Sequence, residues 1–274
     1  MTKIPLSVLI TTKNEEDNIG RCLDALTDFA HVLVIDSYSD DKTCEIAREK
    51  GIDVVLYQWD GAYPKKRQWC LDNLEIPYDW VFWVDADEVV TPELVNEIRT
   101  LFENEEQKSG YFVQGHYTWH GKVLRYGLRN NKLALFDRCK FEFPVVDDLD
   151  ISGMGEIEGH YQPVRKVGHG NSGLGQLHYP VLHYAYEDEA AWCTRHLRYA
   201  KWEAEMIMRE LYPPDPVFAR EFVKKLLRQS YFRGVLTFFV SYFVKFGFFD
   251  GYAGYKFALS RMKYCAMVRC NLRK

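Results

Sequence analysis

Four short apolar runs punctuate the first ninety residues, and helix-periodic segments separate them. Residues 6–10, 32–35, 54–56 and 80–84 lack the polar alternation of a half-exposed strand. Runs that are apolar almost throughout, with Ser7 the one interruption, suit strands covered on both faces. Between them, residues 16–26 repeat Ile19, Cys22, Leu23 and Leu26 on one helical face, and residues 41–50 and 65–74 read as two further helices. Thr91 followed by Pro92 opens a fourth, as an N-cap with proline at the first helical position. This alternation predicts an α/β fold with a mainly parallel, doubly wound, Rossmann-like sheet. Right-handed crossovers then bring the carboxyl ends of the strands to one edge, where ligands of such sheets bind.

Beyond residue 110 the pattern changes. Residues 111–180 carry short strand signals and many glycines, and are expected to complete the sheet. Residues 188–211 form a helix that Pro213-Pro214 ends, and residues 217–230 form the next. The expected division is one domain over 1–187, itself in halves 1–110 and 111–187, and a helical region over 188–274. The seven cysteines include no C-x-x-C pair and do not read as a disulfide framework. With no signal-peptide pattern at Met1-Thr2-Lys3-Ile4-Pro5, a reducing, cytoplasmic compartment is expected.

The polar residues that follow each strand are the candidates for chemistry. Asp85-Ala86-Asp87-Glu88 places three carboxylates in four positions after the most apolar run. Such a cluster calls for a cation, and hard oxygen ligands suit Mg²⁺ or Mn²⁺, which keep positions open for phosphate oxygens. Thr11-Thr12-Lys13-Asn14-Glu15 follows the first strand and Asp36-Ser37-Tyr38-Ser39-Asp40-Asp41-Lys42-Thr43 follows the second. An Asp there can accept from a ring N–H of a base, and Asn or Glu can hold a ribose hydroxyl. Asn14 and Asp41 also have the chemistry of helix N-caps. Gly168 to Gly173 fits G-x-G-x-x-G, but no buried strand precedes it and no helix follows, so it reads as a loop near an acceptor cleft.

Taken together these motifs resemble glycosyltransferase family 2, whose members have the GT-A fold. The family pattern is an N-E turn, then D-x-x-S-x-D-x-T, then D-x-D, each after a strand. Here Asn14-Glu15, then Asp36 with Ser39, Asp41 and Thr43, then Asp85 and Asp87 occur in that order. The chain is most similar to the branch that adds hexose to the inner core of lipopolysaccharide. The resemblance implies an inverting transfer of a hexose, glucose by preference, from a UDP-sugar to a lipid-linked saccharide. It implies that Thr11, Asn14, Glu15, Asp36, Ser37, Arg67, Asp85 and Ala86 bind the nucleotide sugar, with Asp36 on the uracil. It implies that Asp87, Asp85 and His183 hold the metal. Inverting displacement needs a carboxylate to deprotonate the acceptor. The branch carries His-Glu where this chain has Val146-Asp147-Asp148, so Asp148 is nominated as the base with Asp147 next, and Asp150 and Glu142 remain open.

The net charge of −4 hides an asymmetry. From Phe222 onward there are eleven Lys or Arg and one acid, Asp250, together with a third of the chain's aromatic residues. Phe238, Phe239, Tyr242, Phe243 and Phe246 fall at helical spacing among these cations. Basic, aromatic helices of this type lie in anionic membrane interfaces, so a peripheral position on the cytoplasmic face of the inner membrane is expected. The uncharged stretch 234–244 is far short of the roughly 20 residues that span a bilayer. Nucleic acid is not an expected partner, because the apolar residues are too bulky and contiguous to track phosphates. A sugar-phosphate nucleotidyltransferase and a non-catalytic nucleotide-sugar or glycolipid binding protein are the alternatives. The first would carry a glycine-rich basic loop after strand one, and residues 11–15 have none.

Overall fold

The computed structural model describes residues 2–104, 108–151, 155, 161–168, 173–186, 189–212, 215 and 217–272. The expected alternation is present as β1 (Ile4–Thr12), α1 (Glu16–Asp24), β2 (Phe29–Asp36), α2 (Thr43–Glu49), β3 (Asp53–Leu56), α3 (Lys66–Asn73) and β4 (Trp80–Asp85). There follow β5 (Glu88–Val90), α4 (Pro92–Glu103), β6 (Gly110–Trp119), β7 (Lys122–Val123), β8 (Asn130–Asp137), β9 (Phe141–Glu142), β10 (Val164–Arg165), β11 (Leu174–Gln176) and β12 (Val181–Tyr186). The main sheet runs β3-β2-β1-β4-β8-β6-β12-β5. β3, β2, β1 and β4 are mutually parallel, whereas β8 is antiparallel to both β4 and β6. The glycine-rich middle of the chain therefore completes the sheet. Residues 169–172 of the G-x-G-x-x-G segment lie outside the described residues.

The chain divides into two compact units. The first comprises Met1–His116, Asn130–Phe143 and Pro163–Tyr184; the second comprises Tyr117–Arg129, Pro144–Gln162 and Ala185–Lys274. This differs from a single cut at residue 187, because two excursions from the middle of the chain group with the C-terminal helices. Non-local packing of that kind leaves no periodic trace in sequence.

In the first unit both faces of the sheet are covered, as the unbroken apolar runs require. Ile4, Leu6, Val8 and Ile10 of β1 pack with Ile19, Cys22 and Leu23 of α1, Ala47 of α2, and Leu94, Val95 and Ile98 of α4. Leu9, Leu33, Ile35, Val81 and Trp83 pack on the opposite side with Cys70 and Leu71 of α3 and with Phe136, Phe141 and Phe143. Each fully buried side chain of this size contributes about 1.5–3 kcal/mol. Thr91 caps α4 as expected, its Oγ1 accepting from Leu94 N–H at 3.3 Å.

The second unit contains α5 (Glu189–Met208), α6 (Phe218–Gln229), α7 (Arg233–Phe239), a π-helical turn over Val240–Val244, a 3₁₀ turn over Gly247–Asp250, and α8 (Tyr252–Asn271). Trp119, Leu124, Trp192, Ala253 and Phe257 form its main core. The helical spacing read through Phe246 is interrupted, for Phe246 adopts a φ of 58° and turns the chain. Two close approaches explain the glycines beside it. A Cβ on Gly247 would meet the Ser241 carbonyl at 2.7 Å, and one on Gly254 would meet the Gly247 carbonyl at 1.9 Å. Asp250 is buried and accepts backbone N–H bonds from Arg125 at 3.2 Å and Tyr126 at 2.8 Å. Among the described residues no helix is long and apolar enough to cross a membrane.

Candidate active site

Strand register brings the three motifs of the first unit to one edge. Thr11 lies beside Ile35 on one side and Asp85 on the other, and Thr12 pairs with Asp36. Asp36 is fully buried, and Thr12 Oγ1 donates to its Oδ2 at 2.6 Å. Ser39 donates twice to the same carboxylate, from N–H at 2.7 Å and from Oγ at 2.6 Å. Burial alone would raise the Asp36 pKa, but these donors outweigh it and hold the carboxyl below its usual value. Ser37 beside it keeps a buried hydroxyl with no hydrogen-bond partner among the described residues.

Asn14 and Asp41 act differently from simple N-caps. Asn14 has a φ of 56°; its N–H donates to Ser39 Oγ at 2.8 Å and its Oδ1 accepts from Asp40 N–H at 3.1 Å. It therefore ties the turn after β1 to the turn after β2 and makes no cap bond to α1. Asp41 serves two helices at once, accepting from Glu16 N–H of α1 at 3.0 Å and Thr43 N–H of α2 at 2.9 Å. Glu15 N–H donates to Thr43 Oγ1 at 2.8 Å, and its carboxylate accepts from Asn18 at 2.8 Å. The signature Ser, Asp and Thr thus fix the loop before any ligand is considered.

The acidic cluster splits into two ion-pair systems. Asp85 accepts from Lys132 Nζ at 2.7 Å and from Arg67 at 3.3 Å, and Lys132 also reaches Glu88 at 2.6 Å. Burial raises the Asp85 pKa, but Lys132 and Arg67 overcome it and hold the carboxyl well below its usual range. Glu88 is completely buried, and there burial dominates and pushes its carboxyl up. Ala86 is buried in the core. Asp87 faces a different partner, His183 of β12, with Nε2 3.1 Å from its carboxylate. The pairing of β12 with β5, His183 opposite Glu88, fixes that contact. Burial would lower the His183 pKa, but Asp87 pushes it up to about 9.

A divalent cation would find two of the three expected ligands together. Asp87 and His183 offer a carboxylate oxygen and an imidazole nitrogen, while both oxygens of Asp85 are engaged by cations. Among the described residues no group of three or more His, Cys, Asp or Glu is disposed to hold a metal. Two protein donors fit Mg²⁺ or Mn²⁺ only as an open site whose other positions go to water and phosphate oxygens. The ion would also displace the proton that His183 carries at neutral pH.

A model of glycosyl transferase family 2 matches residues 7–146. The chain belongs to this family. An uncharacterized glycosyltransferase from Rickettsia bellii is 36% identical over 103 residues, covering 37% of this chain and 34% of that protein. The chain thus spans about a third of the length of the rickettsial relatives it matches. A lipopolysaccharide core biosynthesis glycosyltransferase, LpsC from Rhizobium meliloti, is 30% identical over 116 residues, 40% of this chain and 42% of that one. Among solved structures, the mannosyltransferase PcManGT from Pyrobaculum calidifontis, in complex with GDP-Man and Mn²⁺, superposes with a TM-score of 0.52 at 13% identity. That likeness covers 100% of this chain and 88% of that one. It bears out the GT-A fold.

The remaining nominees of this family 2 chain fall on either side of the division between the units. Glu142 lies in β9 of the first unit. In the second, Asp148 is buried and accepts from the Tyr161 hydroxyl at 3.1 Å, whereas Asp147 is exposed and Asp150 pairs with Arg209 at 2.6 Å. Lys132 was not singled out by sequence reasoning, although it holds Asp85 and Glu88 together. Its signal was a single lysine leading into the apolar run 133–136. Lys66 was also missed: it is largely buried and donates to the Thr12 carbonyl at 3.2 Å.

Proposed function

We propose that the chain is an inverting glycosyltransferase that moves a hexose such as glucose from a UDP-sugar to a lipid-linked saccharide of the lipopolysaccharide-core type. The observation that carries this is the Asp87–His183 pair beside the Thr11–Asp85 edge of a GT-A sheet. The likeness to LpsC supports the acceptor class. In this reading Thr11, Asn14, Glu15, Asp36 and Ser37 hold the nucleoside, and the unpartnered Ser37 hydroxyl supplies a bond that the protein leaves unmade. Ala86 lies between the two acids that flank the diphosphate. Lys132 and Arg67 keep Asp85 ionised and oriented towards the ribose. Asp87 and His183 would hold Mg²⁺ or Mn²⁺, which offsets the charge gained by the departing diphosphate. Asp148 takes the proton of the acceptor hydroxyl, with Asp147 as the second candidate.

A cytoplasmic-face membrane position belongs to the same reading. Phe222, Phe232, Phe239, Phe243, Phe246 and Phe249 are each about half exposed or more, in a tail rich in Lys and Arg. Aromatics left in water beside cations suit an anionic interface. Deleting residues 234–274 should release the protein from anionic vesicles, and unchanged pelleting would refute the membrane contact. The transferase reading is tested by screening sugar nucleotides for metal-dependent donor hydrolysis. It expects turnover of a UDP-hexose, and it fails if no sugar nucleotide is turned over with either metal.

A further inference from the structure

The second unit contains a cavity of about 360 Å³ bounded by the end of α6, by α7 and by α8. Three arginines line it, Arg228, Arg233 and Arg269. Arg228 is paired with Glu221 at 3.1 Å and Arg233 with Glu203 at 2.6 Å. Arg269 has no acidic partner among the described residues and lies 4.5 Å from the centre of the Tyr231 ring. Among the described residues, three guanidinium groups are thus matched by two carboxylates, which leaves a net positive charge at the cavity.

The hydrogen-bond inventory sharpens this imbalance. Arg233 Nη1 and Arg269 Nε are buried and have no hydrogen-bond partner among the described residues. A guanidinium N–H without an acceptor is costly to bury, and such groups in native proteins are matched by a ligand, water or ion. The guanidinium fork suits phosphate oxygens, which it engages in parallel pairs. Apart from Ser230 and the Tyr231 hydroxyl, the rest of the lining is largely apolar, including Val235, Met262 and Leu272. Val235 is 61% exposed and Phe232 64% exposed, so an apolar surface continues outward from the cavity. A free phosphate would satisfy the arginines and leave that apolar lining wet.

We propose that this cavity binds a phosphate group carried on an apolar stem, the headgroup phosphate of an anionic lipid. It goes beyond the transferase reading, since it concerns neither the donor nor the reacting hydroxyl. The site would select which lipid surface the chain sits on, and the exposed aromatics would supply the less selective part of the contact.

The test is calorimetric titration of the full chain with dihexanoyl phosphatidic acid below its micelle concentration, and separately with inorganic phosphate. The short-chain lipid should bind at least about tenfold more tightly than phosphate, and Arg269→Gln should weaken it by about tenfold. Arg269 makes no ion pair, so its loss leaves the Glu221 and Glu203 pairs in place. Ala266→Leu narrows the cavity without altering charge and should weaken the lipid similarly. Equal affinity for lipid and phosphate would overturn the assignment, as would lipid affinity unchanged in both variants. Because the readout is binding, failure here leaves the transferase reading standing, and loss of donor hydrolysis would leave this site standing.

Discussion

Replacing Lys132 with methionine removes the cation that two carboxylates share. Glu88 is completely buried, Asp85 keeps a third of its side chain exposed, and Lys132 itself is 15% exposed. Breaking a buried ion pair from one side costs about 3–5 kcal/mol, because the surviving charge stays desolvated. Methionine preserves most of the apolar stem, so little of the loss comes from packing. Asp85 can still use Arg67 and some water, which places the cost near the lower end, about 3 kcal/mol. With a urea slope of about 2 kcal/mol per molar, the unfolding midpoint should fall by about 1.5 M. Adding Glu88→Gln removes the stranded buried charge and should recover about half of that fall. Equilibrium urea denaturation reads both variants. A midpoint shift below about 0.3 M for Lys132→Met would refute the assignment of Lys132 as the clamp of this cluster.

Asp250→Ala takes the buried carboxylate acceptor from the N–H groups of Arg125 and Tyr126, two hydrogen bonds to a charged group, and should cost about 3 kcal/mol. A fall of about 9 °C in Tm by calorimetry would report it. Asp36 has a folded pKa below its ordinary 3.8, so its contribution is present above that value and is lost as pH falls through the lowered folded value. Asp36→Asn should therefore destabilise the protein at pH 7 by more than at pH 3, and urea midpoints at the two pH values check the sign. Asp148→Asn should lower the transfer rate by about 10²–10⁴-fold while donor affinity is unchanged, as steady-state kinetics and nucleotide titration would show together.

The first hundred residues were legible because their constraints are local. Apolar runs such as 80–84 are strands by composition alone, and the Thr91-Pro92 pair marks a helix start by its own chemistry. The acids at the edge were legible as residues but not as partners. Asp85, Asp87 and Glu88 look alike in sequence, yet Asp85 and Glu88 turn to Lys132 and Asp87 to His183, residues some 45 and 96 positions away. Those contacts depend on which strands pair, and nothing near the motif encodes it. Asn14 shows the same limit, since its cap-like chemistry is used across a gap of 25 residues to Ser39. Asp250 stood out only as the lone acid in a basic tail. Its role as an anchor appears once the segment around Arg125 is folded against it.

In the proposed reaction Asp87 and His183 form an open metal site that serves a nucleotide diphosphate. Calorimetric titration of UDP into the protein, with and without Mn²⁺, tests it most directly when repeated on Asp87→Asn. Mn²⁺ should tighten UDP binding in the wild type by at least about tenfold, and the variant should lose this gain. UDP binding that ignores the metal, or a metal effect that survives Asp87→Asn, would contradict it.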